Sequence, residues 1–156
     1  WVLAYGFDDT LMAEKRFPTR EELDAISCGH PVFVQHISIH LGVLNSAGFA
    51  ALGIDEHTPD PEGGIIRHHA DGSLHGVVEE RALFDLVSPR LPVFSREHKV
   101  QSIARVSREV YAARGITTAL DAGVLDYDGA EVLQETDDRG LLAVRVHYNP
   151  YYYGIV

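Results

Sequence analysis

The spacing of hydrophobic positions predicts short strands and helices that alternate along the 156-residue chain. In segment 31–53, β-branched and aromatic residues come first and leucines at helical spacing follow. This pattern predicts a strand that Pro31 opens, a helix from Leu41 and a helix end at Gly53. His40 lies where the period changes, and Asn45 falls in the first turns of the predicted helix. Because α/β folds build sites where strands end, both are candidate functional residues.

Two histidines in this segment have the spacing His-x-x-x-His. His36, Ser38 and His40 alternate with two isoleucines, so an extended strand would place the three polar residues on one face. The two imidazoles would then lie about 13 Å apart, too far to bind one metal ion. This argument predicts a polar strand face for His36 and leaves both a functional and a structural role open for His40.

The rest of the first 95 residues shows similar short elements. Residues 1–7 predict a strand, and Thr19 with Glu22 forms a capping box before a helix over 20–26. Asp71-Gly72 between two extended runs predicts a hairpin. The segment that begins at Gly76 is expected to open a helix that ends near Val87, with Glu80 in its first turn.

The part of the chain from residue 96 onwards is predicted to form two α/β steps. An apolar stripe predicts a helix over 96–114 that ends at Gly115, and a buried strand follows over 116–120. A second helix over 131–139 and a second buried strand over 141–148 repeat this order. The two strands are expected to pair in parallel, joined by the helix between them.

Composition excludes several classes of function. The net charge of −10 argues against nucleic acid and anionic membrane as partners. No apolar run approaches the ~18 residues of a transmembrane helix. Cys28 is the single cysteine, which fits a reducing compartment, so a cytoplasmic location is expected. The absence of a Gly-rich loop before a helix disfavours a phosphate-binding barrel.

Six motifs, in one order along the chain, resemble the family-3 branch of the amidohydrolase superfamily, which includes N-substituted formamide deformylases. They are Gly6-Phe7-Asp8, Leu23-Asp24-Ala25, Pro31-Val32 with His40 and Asn45-Ser46-Ala47, Thr58-Pro59-Asp60-Pro61, Gly76-Val77-Val78-Glu79-Glu80, and Gly115-Ile116-Thr117 with Asp121-Ala122-Gly123. The superfamily's His-x-His metal-binding pair does not occur in this sequence. The resemblance therefore implies an internal segment of a longer protein.

The resemblance implies an α/β fold in two parts. Residues 1–95 would be an insertion of short strands, a hairpin and helices that covers the mouth of a TIM-type barrel. Residues 96–156 would supply two βα steps of that partial barrel. The parent protein would be a metal-dependent amidohydrolase that cleaves an amide-type C–N bond with metal-activated water.

The resemblance also implies roles for three residues. His40 and Asn45 would bind a small amide-type substrate, and Glu80 would be a ligand of a divalent metal, zinc by preference, in the parent protein. No metal is expected to bind this segment alone. A homo-oligomer is compatible with the resemblance. A non-catalytic binding or lid module, inactive in isolation, is the alternative. For Glu80, a structural role at a helix start is also open, because carboxylates there complement the helix dipole.

Overall fold

The computed structural model describes residues 1–27, 29–124 and 127–150, so Cys28 lies outside the described residues. It confirms a mixed α/β fold and divides into two compact units, Trp1–Pro92 and Val93–Val156. Among the described residues, no helix is long and apolar enough to cross a membrane.

The first unit is built on a five-stranded sheet. Its strands are β1 (Val2–Phe7), β2 (Val32–His36), β3 (Leu41–Leu44), β4 (Gly64–His68) and β5 (Leu74–Glu80). Their order is β1-β2-β3-β5-β4, with β1 and β2 parallel and every other pair antiparallel. The predicted first strand and the hairpin at Asp71-Gly72 are therefore confirmed.

Both faces of this sheet are covered. Successive strand residues such as Val32 and Phe33 belong to different buried clusters, as the two-residue period of a strand requires. Helix α1 (Arg20–Ser27) contributes Leu23 to one cluster, and helix α2 (Ser46–Leu52) contributes Phe49 to the other. The core thus fixes the sheet from both sides.

The strand predicted up to His40 ends at His36, and segment 41–44, predicted as the start of a helix, is a second strand. Residues 37–40 form a turn between the antiparallel strands β2 and β3, so His36, Ser38 and His40 do not share a strand face. The helix begins at Ser46 instead of Leu41, because segment 41–44 pairs with both β2 and β5 and Asn45 caps the helix. Gly53 ends α2 in the left-handed conformation, as predicted.

The helix predicted from Gly76 is also wrong. Residues 74–80 pair with β3 and β4, and a single π-helical turn, Ala82–Val87, follows. Gly76 has φ +117°, and a Cβ there would lie 2.9 Å from the backbone nitrogen of Arg20. Glu80 therefore lies at the carboxyl end of a strand, and a helix dipole does not account for it.

The predicted capping box of α1 is confirmed and gives this unit a pH dependence. Arg16 donates hydrogen bonds to both carboxylate oxygens of Glu22, and the backbone N–H of Thr19 donates a third at 2.8 Å. Arg16 first, and Thr19 second, lower the pKa of Glu22 from 4.5 to about 2. A carboxylate with a lowered folded-state pKa stabilises the fold above the unfolded value, and this contribution disappears as the pH falls through the folded value.

We therefore expect Glu22→Gln to flatten the loss of stability between pH 4.5 and pH 2. Urea unfolding at several pH values measures this effect. The matched control is Glu62→Gln in an exposed loop, which should keep the wild-type slope. Equal slopes for wild type and Glu22→Gln would contradict the prediction.

The second unit holds a two-stranded sheet and two helices. Helix α3 (Arg96–Val106) continues through shorter helical turns to Arg114, and Gly115 follows with φ +76°. Strands β6 (Thr118–Val124) and β7 (Arg145–Pro150) pair in parallel, and helix α4 (Tyr127–Asp138) lies between them in sequence. The parallel pairing is confirmed. The first strand is not buried, however, because Leu120 is 63% exposed.

Candidate functional site

At one boundary of the five-stranded sheet, here called the sheet edge, the ends of several strands carry polar residues. Strands β1, β2 and β5 end at this edge and β3 begins there. The edge therefore carries Asp8 and Asp9 after β1, His36 at the end of β2, His40 before β3 and Glu80 at the end of β5. Segments that are distant in sequence, such as 8–9 and 80, thus meet at one boundary of the sheet.

His40 and Glu80 form a pair at this edge. His40 Nδ1 lies 3.1 Å from Glu80 Oε2, and the backbone N–H of Glu80 donates to the carbonyl oxygen of His40 at 2.8 Å. The side chains of both residues are more than half exposed. The ring of His40 also makes an edge contact with Phe84, with the ring centroids 5.9 Å apart.

The hydrogen bond between His40 Nδ1 and Glu80 Oε2 determines which atoms of the two side chains remain available for a ligand. A neutral His40 that donates from Nδ1 to the carboxylate keeps the lone pair of Nε2 for another partner. Glu80 Oε1 accepts no hydrogen bond from the described residues. The pair therefore presents a nitrogen lone pair and a carboxylate oxygen. Atoms of both types can bind zinc or accept a hydrogen bond from an amide N–H.

Among the described residues, two of the three non-glycine residues with positive φ lie at or next to this pair, and the third is Lys15. Ile39, directly before His40, has φ +63°, and Glu80 has φ +51°. A β-branched residue in the left-handed region is unusual, and each such residue costs about 1–3 kcal/mol. Strain of this kind clusters at active sites, and no sequence pattern around Ile39 or Glu80 revealed it.

Replacing Ile39 by glycine tests this strain. Because Ile39 is about half exposed, little packing is lost, and Ile39→Gly is expected to raise the free energy of unfolding by about 1 kcal/mol. Ile37→Gly in the same turn is the matched control. Ile37 is also exposed but has no positive φ, so this change should destabilise the protein by about 0.5–1 kcal/mol. If both variants lose stability equally in urea unfolding, Ile39 is not strained.

Asn45 is buried, with its side chain fully hydrogen-bonded. Its Oδ1 accepts from the backbone N–H groups of Val32 at 2.9 Å and Gly48 at 2.8 Å. Its Nδ2 donates to Ser27 Oγ at 2.9 Å and to the carbonyl oxygen of His30 at 3.0 Å. The amide caps α2 and ties it to β2 and to the end of α1, and none of its hydrogen-bonding positions is left for a substrate.

Asp8, Asp9 and His36 form a group that was not predicted from the sequence. Three of their ligand-type atoms lie within 4.8 Å of one another, a spacing that would suit a cation. The hydrogen bonds of His36 make it unsuited to bind a cation there. The backbone N–H of Ser38 donates to His36 Nδ1 at 3.1 Å, so the neutral ring carries its proton on Nε2, which faces Asp9 Oδ1 at 3.1 Å.

The described residues form a mixed α/β fold, and comparison with known proteins identifies the family of the chain. The amidohydrolase family model, in the branch numbered 3, matches residues 1–154, and the chain belongs to this family. The resemblance noted in the sequence is thereby confirmed.

Two relatives show the extent of the similarity. N-substituted formamide deformylase of Arthrobacter pascens is 31% identical over 142 residues, which cover 90% of this chain and 26% of that protein. LONG AFTER FAR-RED 3 of Arabidopsis thaliana is 29% identical over 124 residues, covering 79% of this chain and 21% of that protein. The chain thus spans about a quarter of the length of these relatives.

A solved structure shares the fold. A metal-dependent hydrolase of uncharacterised function from Pyrococcus horikoshii superposes with a TM-score of 0.58 at 21% identity, covering 95% of this chain and 27% of that one. At this identity the likeness concerns the fold.

Proposed function

We propose that this chain is a segment of a longer metal-dependent hydrolase that cleaves the C–N bond of small amide-type substrates. Family membership supports hydrolysis, and the formamide deformylase among the relatives supports an amide-type substrate. The observation that carries the proposal is the exposed pair of His40 and Glu80 at the sheet edge, where Glu80 and the neighbouring Ile39 have positive φ.

In this proposal Glu80 is a metal ligand through Oε1, the carboxylate oxygen that His40 does not use. A bound divalent metal, zinc by preference for such donors, supplies an activated water. Glu80 supplies one ligand, whereas a catalytic zinc site takes about three protein ligands. The remaining ligands would come from elsewhere in the longer protein, and this segment alone would bind no catalytic ion.

His40 would hold the substrate. Its neutral ring accepts a hydrogen bond at Nε2 from an amide N–H, and its protonated ring donates one to an amide carbonyl. The hydrogen bond from Nδ1 to Glu80 fixes the ring plane, so that Nε2 has one direction. For Asn45 we propose a structural role, because its four hydrogen bonds are satisfied internally.

The remaining parts of the proposal concern architecture and surroundings. Residues 1–95 would cover the mouth of a TIM-type barrel, and residues 96–156 would supply two of its βα steps. The net charge of −10 supports a small-molecule substrate over nucleic acid or anionic membrane, and a cytoplasmic setting fits the single cysteine.

The test is a metal-dependence assay of the longer protein that contains this chain. We expect it to hydrolyse N-substituted formamides or related small amides, to lose activity after chelation and to regain it with zinc. Full activity in the chelated protein would overturn the metal-dependent mechanism. Metal-restored activity on esters alone would overturn the C–N assignment. No activity in the reconstituted longer protein on any of these substrates would favour a non-catalytic lid module.

A further inference from the structure

The turn that presents His40 is held by a chain of hydrogen bonds that starts outside it. All four backbone N–H groups of residues 37–40 are bonded. Ile37 donates to the carbonyl oxygen of Phe7 at 2.7 Å, and Ile39 donates to that of His36 at 2.9 Å. The other two depend on side chains: Ser38 donates to His36 Nδ1, and His40 donates to Ser38 Oγ at 3.3 Å.

His36 is the centre of this chain. Its Nδ1 lies 2.8 Å from Ser38 Oγ, whose hydroxyl proton it accepts while the same oxygen accepts from His40. Its Nε2–H donates to Asp9 Oδ1. The rings of Phe7 and Phe17 pack against the imidazole with centroids 6.0 Å and 5.6 Å away, and the side chain is only 13% exposed.

This arrangement explains how a strained turn persists. The left-handed conformation of Ile39 is unfavourable by itself, so other contacts must impose it. Asp9 and the two phenylalanine rings fix the imidazole of His36, and the imidazole fixes the backbone of Ser38. Ser38 in turn fixes the N–H of His40, whose ring then meets Glu80.

We propose that Asp9 and His36 are positioning residues that aim His40 by holding the turn 37–40 through Ser38. Neither residue needs to touch the substrate or the metal. The inference deepens the function proposed above, on which its catalytic consequence rests. Its structural part concerns the ring of His40 alone, so it can be tested without activity.

The test uses ¹⁵N spectra of the histidine rings in the 156-residue chain. In the wild type, spectra recorded at a pH at which the ring is neutral should show one tautomer of His40, with the proton on Nδ1 facing Glu80. In His36→Ala and in Asp9→Ala, which removes the acceptor of the His36 Nε2–H, the signals of His40 should move towards the average of both tautomers. His36→Asn should restore the wild-type signature only in part, because the asparagine Oδ1 accepts from the N–H two residues later, as Nδ1 does here, but the hydrogen bond to Asp9 is lost.

Ser38→Ala is the second variant, chosen because Ser38 is exposed and its loss leaves the core intact. It should shift His40 as His36→Ala does, whereas His68→Ala, at an exposed position in β4, should not. Unchanged His40 signals in folded His36→Ala and Ser38→Ala would overturn the proposal.

An activity assay of the longer protein separates this inference from the proposed function. We expect His36→Ala to lower kcat about 10–100-fold and His36→Asn to recover part of it. If the His40 signals shift as expected while His40→Ala leaves kcat unchanged, the positioning inference stands and the proposed role of His40 fails. If His40→Ala abolishes activity but His36→Ala leaves both the signals and kcat unchanged, the positioning inference fails alone.

Discussion

Asn45→Ala is expected to lower the free energy of unfolding by about 3–5 kcal/mol, because it removes a helix cap and leaves several buried polar groups without partners. The side chain is 1% exposed, and its four partners come from α1, its following loop, β2 and α2. Total stabilities of about 5–15 kcal/mol are usual, so much of the folded population should be lost under mild denaturation. Urea unfolding of the chain measures this.

Asn45→Asp refines the prediction. The aspartate keeps the oxygen that accepts from Val32 and Gly48 but places a second oxygen against the carbonyl of His30. Because burial raises the pKa of a carboxyl group, its destabilising effect should be smaller at pH 4 than at pH 7. Asn149→Ala, at an exposed position of β7, is the control and should cost less than 0.5 kcal/mol. A loss below 1 kcal/mol in Asn45→Ala would contradict the structural role.

His40→Ala, unlike Asn45→Ala, is expected to lower activity and to leave stability nearly unchanged. In the longer protein we expect turnover to fall about 100-fold while the melting temperature changes by less than about 2 °C. The side chain is 55% exposed, and the backbone hydrogen bonds of His40 do not depend on its ring, so no buried cavity opens. His68→Ala, which removes another exposed imidazole, should leave both quantities unchanged. Parallel losses of stability and turnover in His40→Ala would place this residue among the structural ones.

Local signals in the sequence predicted several elements correctly. Thr19 with Glu22, Asp71-Gly72 and Gly53 each carry a specific backbone preference, and the structure has the cap, the hairpin and the helix end that they indicate. These preferences act within a few residues, so tertiary contacts did not change their outcome.

The errors came from strand pairing, which a short apolar segment does not specify alone. Leu41–Leu44 fits helical spacing, yet β2 and β5 on its two sides make it a strand. Gly76–Glu80 was assigned to a helix from its glutamates, although the positive φ of Gly76 and pairing with β3 and β4 require a strand. Tertiary pairing overrode local preference in both segments.

Only part of the candidate site was predicted from the sequence, because the contacts between its distant segments also depend on strand pairing. His40 and Glu80 were selected from the family resemblance, but their contact joins segments 40 residues apart and follows from the order of strands in the sheet. Asp9 follows β1 and His36 ends β2, and the sequence alone did not predict that these two strands pair, so the hydrogen bond between Asp9 and His36 was not predicted. The substrate-binding role of Asn45 came from the family resemblance and its place near an element junction, but Asn45 caps α2, and asparagine is a preferred residue at that position.

The central claim is that Glu80 at the sheet edge is a metal ligand of a hydrolase, and metal content tests it directly. Zinc would be measured in the purified longer protein as wild type, Glu80→Gln and Glu79→Gln. Glu79 is the matched control because it is the preceding residue of β5 and forms an ion pair with Arg67. We expect Glu80→Gln to weaken zinc binding and kcat/KM about 100-fold or more, and Glu79→Gln to retain both. Full zinc content and full activity in Glu80→Gln would contradict the account.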